Sequence, residues 1–349
     1  MENVAIVAIG RNEGDRCRTC LDAAIELIGN PSRVIYVDSG STDGSPEHAR
    51  SLGVTVVDLD MDQPFTAARA RNAGLAEVPE KVAFVQFIDA DCELVDGWLE
   101  KAAWALDSDP KLAGVAGRRR ERHPDATIYN KLCDMEWDTP VGEAGAVGGD
   151  AMFRRKALDA VDGYDPTMIA GEEPEMCLRM RKLGWRLRRL DAEMTLHDAA
   201  MTSWKQWWNR NKRAGHAYAE TLDRHPPTGA KEVRSNYVLG LSLPFNATLA
   251  SAGVIAMTIV ALVVESPARR SFAVVFGIAL LLVLPVIASA YVLLFKRIRA
   301  FRTARGDDPS DAATYAKWVL LGKVPQAMGQ LKYRWNKLRG RSSGIIEYK

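Results

Sequence analysis

Two long stretches without a charged side chain, Ser235 to Val264 and Ser271 to Phe295, set the terms on which this chain can fold. About 20 apolar residues suffice to cross a bilayer as a helix, and both stretches are long enough. Only Glu265-Ser266-Pro267-Ala268-Arg269-Arg270 separates them, so they read as a transmembrane hairpin. Two buried helices of a soluble domain would be expected to show a polar face. Basic residues crowd the outer flanks: Lys231 and Arg234 before the first span, then Lys296, Arg297, Arg299, Arg302 and Arg305 after the second. The positive-inside tendency then puts both flanks, Lys349 included, on the cytoplasmic side, although Arg269 and Arg270 in the turn pull weakly the other way. Beyond Asp311, Tyr315, Trp318, Leu331 and Trp335 alternate with many Lys and Arg. That pattern predicts basic amphipathic helices on anionic lipid; packing against the front domain, or holding a lipid diphosphate, are the alternatives.

The rest of the 349 residues has the composition of an ordinary soluble protein, long enough for one substantial domain. With 46 basic against 44 acidic residues the chain has no electrostatic footprint for nucleic acid, and none is expected as a partner. The start, MENVAIVAIG, lacks the basic and long apolar regions of a secretory signal, so export of the front half is not expected. Five scattered cysteines point to reduced thiols. Cys17 and Cys20 form a CxxC with no second pair to complete a zinc site, and read as two ordinary thiols on a helix.

Val4 to Ile9, Arg33 to Val37, Val54 to Leu59 and Val82 to Ile88 are short apolar runs separated by segments of helical spacing. Strands of this kind, apolar throughout rather than alternating, predict an α/β domain with a mainly parallel sheet covered by helices on both faces. Ligands of open parallel sheets bind at the carboxyl ends of the strands. Here the first run ends in Arg11-Asn12-Glu13, the second in Asp38, and the fourth in Asp89-Ala90-Asp91, so these loops should share one crevice. Any one of them alone would read as a turn or a helix cap. Neither GxGxxG nor GxxxxGK[ST] occurs, which disfavours a dinucleotide fold or a P-loop NTPase. Asp89 and Asp91 supply another way to handle a diphosphate, since Mg²⁺ commonly takes one or two protein carboxylates together with phosphate oxygens.

The ordered set VAIVAIGRNEG, VDSGSTDGS, ARNAG, FIDADC, GGDAMFRRKAL, GYD and GEEPEMCLRMRKLGW, from Val4 to Trp185, resembles the family 2 glycosyltransferases, inverting enzymes of the GT-A fold that use nucleotide-diphosphate sugars. The resemblance extends to about Glu220. It implies that Asp38 lies near the nucleoside base and Glu13 near the ribose. It also implies that Arg71 lies beside the nucleotide, a helix-surface salt bridge being the alternative, and that Asp89 and Asp91 are the DxD pair. Mg²⁺ or Mn²⁺ would then be held by Asp91, with Asp89 nearer the sugar, and His197 either touches metal or diphosphate or is a structural imidazole. Glu173 matches the general base. Glu172-Glu173 stands where Glu-Asp is common, so either carboxylate could face the acceptor, and Glu175 is close enough to compete. Gly149 and Asp150 are candidates for acceptor or phosphate contact.

After Thr195-Leu196-His197-Asp198 comes Trp204-Lys205-Gln206-Trp207-Trp208-Asn209-Arg210-Asn211-Lys212-Arg213. The QxxRW motif of processive relatives is absent, which favours single-sugar addition. The tryptophans read as a membrane-surface helix, with Arg210 or Arg213 as further phosphate contacts. The expected organisation is a GT-A catalytic domain over 1–220, an interfacial linker over 221–234, the hairpin over 235–295 and a cytoplasmic tail over 296–349. The expected activity is transfer of a sugar from a nucleotide-diphosphate sugar to a lipid-linked or surface-glycan acceptor at the cytoplasmic membrane face. A nucleotidyltransferase and a catalytically inactive membrane scaffold are the competing readings. Donor sugar, acceptor and oligomeric state are not legible.

Overall fold

The computed structural model describes residues 2–341. These fall into two units that divide within one helix, the first running to Trp207 and the second from Trp208 to Arg341. Residues 342–349 of the expected tail lie outside the described residues.

The first unit is built on a nine-stranded sheet. Strand β1 (Val4–Gly10) leads into helix α1 (Asp15–Ile28), then come β2 (Val34–Asp38), α2 (Ser45–Ser51), β3 (Thr55–Asp58), α3 (Ala67–Ala76) and β4 (Phe84–Asp89). The order β3-β2-β1-β4 is parallel throughout, and almost every residue of β1, β2 and β4 is buried. Burial on both faces is why these runs are apolar without alternation. The helical spacing of α1 turns Cys17, Cys20, Leu21 and Ala24 onto the sheet. Both cysteines are thus buried free thiols, and burial pushes that of Cys17 up to about 11.

The second half of the sheet is mixed. It uses β5 (Cys92–Leu94), β6 (Leu112–Glu121), the short β7 (Gly142–Glu143), β8 (Ala151–Arg154) and the long β9 (Arg186–His197). Helix α4 (Trp98–Ser108) precedes β6, α5 (Ile128–Trp137) follows it, and α6 (Arg155–Asp159) and α7 (Glu172–Lys182) lie between β8 and β9. Beyond β4 the order is β8-β6-β9-β5, with β8 antiparallel to both neighbours, β6 parallel to β9, and β5 antiparallel to β9. The architecture is the expected GT-A-like α/β sheet, its parallel part confined to the amino-terminal strands and the β6–β9 pair.

Register decides what meets at the sheet's edge. Gly10 is the partner of Asp38, and Ile9 is the partner of Asp89, so the acidic ends of β2 and β4 flank the end of β1. The backbone amides of Ser39 and Ala90 donate to the Gly10 and Ile9 carbonyls at 3.0 and 2.8 Å. A side chain at Gly10 would place its Cβ 2.7 Å from that of Ala90, so the two loops close over β1 only because this residue has none.

The second unit contains most of α8 (Trp204–Arg224), α9 (Ala230–Tyr237) running through a wide turn (Val238–Ser242) into α10 (Leu243–Val263), α11 (Pro267–Thr303) and α12 (Pro309–Leu338). The segment expected as a linker is thus the end of α8 and the start of α9. Helices α10 and α11 pack as a hairpin, and both are long and apolar enough to cross a membrane, with most of their apolar side chains exposed. Of the expected tail, residues 296–303 complete α11 and α12 is one 30-residue helix. It is held within this unit by Gln326 Nε2 on Asn211 Oδ1 (3.0 Å), Lys323 Nζ on Asn236 Oδ1 (2.9 Å) and Tyr333 Oη on Asp223 Oδ2 (2.8 Å).

Candidate active site

The loops after β1 and β2 interlock. Asn12, at φ 56°, donates its amide to Ser41 Oγ and accepts from the Thr42 amide, both at 2.8 Å, and the Gly14 amide donates to Asp43 Oδ2 at 2.7 Å. Asp38 is buried where β2 ends. Its carboxylate accepts from Tyr36 Oη (3.1 Å) and from the Gly40 and Ser41 amides (2.9 and 2.8 Å), which fixes the turn. Glu13, on the neighbouring loop, pairs with Arg16 at 2.6 Å.

At the end of β4 the charges are denser. Asp89 Oδ1 accepts from Arg71 Nη2 at 2.8 Å, and its Oδ2 from Arg119 Nη2 at 3.1 Å. Arg71, on α3, is almost wholly buried, so the helix-surface alternative is corrected: its guanidinium also reaches Glu172 Oε1 at 2.9 Å and Glu173 Oε1 at 3.3 Å, above the Tyr164 ring. Arg119, on β6, donates from Nε to Asp150 Oδ2 at 2.8 Å. Asp150 accepts in addition from the Asp89 amide (3.1 Å) and Thr195 Oγ1 (3.0 Å). Both its oxygens are therefore engaged inside the fold, and it holds Asp89 and Arg119 in place.

Three glutamates sit in the first turn of α7, and their surroundings separate them. Glu172 is buried against Arg71. Glu175 is buried and clamped by Arg179 at 2.8 Å. Glu173 keeps more of its side chain open, at 17% exposure against 4% for Glu172. Burial and the neighbouring Glu172 push the Glu173 carboxyl up to about 7, against the pull of Arg71. Gly149 is what lets this assembly close: a Cβ there would lie 2.3 Å from Arg71 Nη2, 3.1 Å from Glu173 Oε1 and 3.2 Å from Asp89 Oδ2.

Asp91 points elsewhere. Its Oδ2 lies 3.0 Å from His197 Nε2 at the end of β9, and both are buried. Burial, seconded by the Arg119 cation, pushes the His197 imidazole down to about 3, so it is neutral, the form that ligates metals. The His197 ring stacks on Trp137 at 4.6 Å, and the Arg119 guanidinium covers that indole at 5.2 Å. Asp89, Asp150, Glu172 and Glu173 thus share two guanidiniums while Asp91 faces the imidazole of His197, an imbalance of charge that suits a divalent cation.

Asp89, Asp91, Arg71, Glu172, Glu173, Gly149, Asp150 and His197 come together in one network, with Glu13 and Asp38 on the adjoining strand ends. Arg210 and Arg213 lie on α8 in the second unit. Trp207 is buried, with the Trp204 ring 4.9 Å away, which corrects its expected place at a membrane surface. Arg119, Thr195 and Trp137 are additions to the sequence reading. The run Arg118-Arg119-Arg120 does not by itself show which of the three turns toward the site: Arg118 goes to Asp134, Arg120 to Glu193, and Arg119 to Asp89 and Asp150.

The fold is similar to that of the mannosyltransferase PcManGT from Pyrobaculum calidifontis in complex with GDP-Man and Mn²⁺, at a TM-score of 0.55 and 18% identity over 96% of this chain and 88% of that one. Residues 5–162, a little under half of the chain, match the model of glycosyl transferase family 2. The pre-mycofactocin glycosyltransferase of Mycobacterium tuberculosis is 30% identical over 221 residues, which are 59% of this chain and 46% of that protein. The O-antigen chain rhamnosyltransferase RfbN of Salmonella typhimurium is 24% identical over 192 residues, 50% of this chain and 60% of RfbN. The chain spans about half the length of the curated relatives it matches.

Proposed function

We propose that the first unit transfers a sugar from a nucleoside-diphosphate sugar to an acceptor hydroxyl, with inversion at the anomeric carbon. The observation that carries this reading is the opposition of two chemistries in one network. At one end Glu173 is a carboxyl raised to about 7, and at the other Asp91 meets the neutral imidazole of His197 at 3.0 Å, a donor pair suited to a metal. Glu173 takes the acceptor proton as the hydroxyl oxygen attacks. Arg71 orients Glu173 while neutralising Glu172, and Arg119 with Asp150 fixes Asp89 toward the sugar and ribose. Asp38 and Glu13 receive the nucleoside on the interlocked loops. Asp91 and His197 would hold Mg²⁺ or Mn²⁺, which when bound neutralises the charge of the departing diphosphate. A solved relative of the same fold binds GDP-Man and Mn²⁺, in support of this assignment.

The helical hairpin anchors the chain in the cytoplasmic membrane with the active site on the nucleotide-sugar side, and the acceptor is a lipid-linked or surface glycan, as the name of the O-antigen relative suggests. Membranes carrying the full chain are expected to release nucleoside diphosphate from one member of a panel of donor sugars. Release should stop on chelation and return with Mn²⁺ or Mg²⁺. Metal-independent release, or none from any donor, contradicts the reading and favours the inactive scaffold. Within the same assay, Gly149→Ala is expected to lower kcat by about 10²-fold, because the added Cβ must displace the Arg71 guanidinium, and misplacement by about 1 Å costs on that order. Unchanged kcat in a folded Gly149→Ala protein would remove Arg71 from the positioning role.

A further inference from the structure

A third donor stands beside Asp91 and His197 that the transfer chemistry leaves unused. Cys92, the first residue of β5, is the direct antiparallel partner of His197 at the end of β9. Cross-strand partners carry side chains on the same face with Cβ atoms about 5 Å apart, a spacing that one metal ion can bridge. The Cys92 Sγ lies 3.5 Å from Asp91 Oδ1, and the carboxylate oxygen, the sulfur and a ring nitrogen of His197 all fall within 4.8 Å of one another, all three residues buried. A tetrahedral ion, with bonds of about 2.3 Å to sulfur and about 2.0–2.2 Å to nitrogen and oxygen, holds its donors roughly 3.3–3.7 Å apart, so capture draws the most distant pair together by about 1 Å at most. Arg119 Nη2 donates to the same sulfur at 3.2 Å, while burial outweighs that cation and keeps the free sulfur a thiol until an ion displaces its proton. His197, more than nine-tenths buried, has one ring nitrogen on Asp91 and no hydrogen-bond partner on the other, so its imidazole is not fully used by the protein.

We infer that Asp91, Cys92 and His197 form a mixed oxygen, sulfur and nitrogen site that captures thiophilic divalent ions, Zn²⁺, Co²⁺ or Cd²⁺, in preference to Mg²⁺. Thiolate and imidazole donors select these ions, while Mg²⁺ prefers oxygen. Capture exchanges the S–H bond for a sulfur–metal bond and releases the proton to solvent, with no change of oxidation state. Three protein donors leave one position of a tetrahedral ion open, the pattern of sites that also bind a small ligand. The inference shares Asp91 and His197 with the glycosyl-transfer reading but rests on donor geometry alone. Its consequence for the reaction is that zinc competes with Mn²⁺ for these two residues and displaces it.

The test uses the full chain in detergent after removal of metal. One equivalent of Co²⁺ is expected to produce a near-ultraviolet sulfur-to-cobalt charge-transfer band. Cys92→Ala should abolish that band and weaken Co²⁺ binding at least tenfold, and Cys92→Ser should lack the band as well. X-ray absorption of the zinc-loaded wild-type protein, which needs no variant, should show one sulfur neighbour at about 2.3 Å. A zinc shell of nitrogen and oxygen alone, or a cobalt band that survives in Cys92→Ala, overturns the inference. The glycosyltransferase reading fails on a different result, the absence of nucleoside diphosphate release from Mn²⁺-loaded wild-type protein, which leaves the sulfur band as it is.

Discussion

Glu173→Gln is expected to lower kcat for sugar transfer by about 10²- to 10⁴-fold, the usual contribution of a general base, while leaving the affinity for the donor unchanged. The separation of these two effects follows from the geometry. Glu173 touches Arg71 and faces Gly149, whereas the loops assigned to the nucleoside carry Asp38 and Glu13. The amide keeps the size and the polar contact to Arg71 but cannot accept a proton. A pH profile tests the same residue independently. Burial and Glu172 raise the carboxyl to about 7, so the base form is lost as pH falls through that value, and kcat should drop about tenfold per unit below it. In Glu173→Gln the residual rate should lose that acidic limb. A wild-type rate that is flat from about pH 5 to 8, or near-normal turnover in the variant, removes Glu173 from the mechanism.

Arg71→Met has the largest expected effect on stability. The guanidinium is the shared partner of Glu172, Glu173 and Asp89, and it is almost entirely buried. Methionine fills much of the volume but leaves Glu172 buried without its counter-charge. Removing one partner of a buried ion pair costs about 3–5 kcal/mol, which for a domain of this size corresponds to a fall in Tm of roughly 10 °C. Activity should fall with it, because Glu173 loses the cation that opposes its upward shift and Asp89 loses its contact with Arg71. Arg71→Lys should recover little of either, since a point charge on a flexible stem cannot span three carboxylates as a planar guanidinium does. A change in Tm of under about 2 °C for Arg71→Met would mean that the carboxyl groups rearrange to do without it.

Much of the fold was legible because the parallel strands are buried on both faces, and this leaves an unbroken apolar run that ends where a charge appears. Val4–Gly10, Val34–Asp38 and Phe84–Asp89 all stop at or within two residues of the boundaries the sequence suggests, and their acidic ends converge as expected. The choice between Glu172 and Glu173 was not legible. Consecutive helical residues differ by about 100° in direction, and only the position of Arg71, brought in from a helix some hundred residues earlier, tells which carboxylate is consumed by a partner. Arg119 was hidden for a related reason. It lies within a run of arginines on β6, where pairing with β9 shifts register between Arg118 and Arg119, so its facing depends on a strand far along the chain. Cys92 likewise gains its neighbour only through the pairing of β5 with β9.

The claim on which the account rests is that one cleft joins a metal-held diphosphate at Asp91 and His197 to a proton acceptor at Glu173. Anomalous diffraction at the manganese edge, from crystals of the full chain grown with Mn²⁺ and the nucleoside diphosphate of its donor, measures this most directly. The account predicts a manganese peak about 2 Å from donor atoms of both Asp91 and His197, touching the diphosphate, with the Glu173 carboxylate across the same cavity. A nucleotide bound with manganese at other residues, or on a surface that Glu173 does not share, would contradict it.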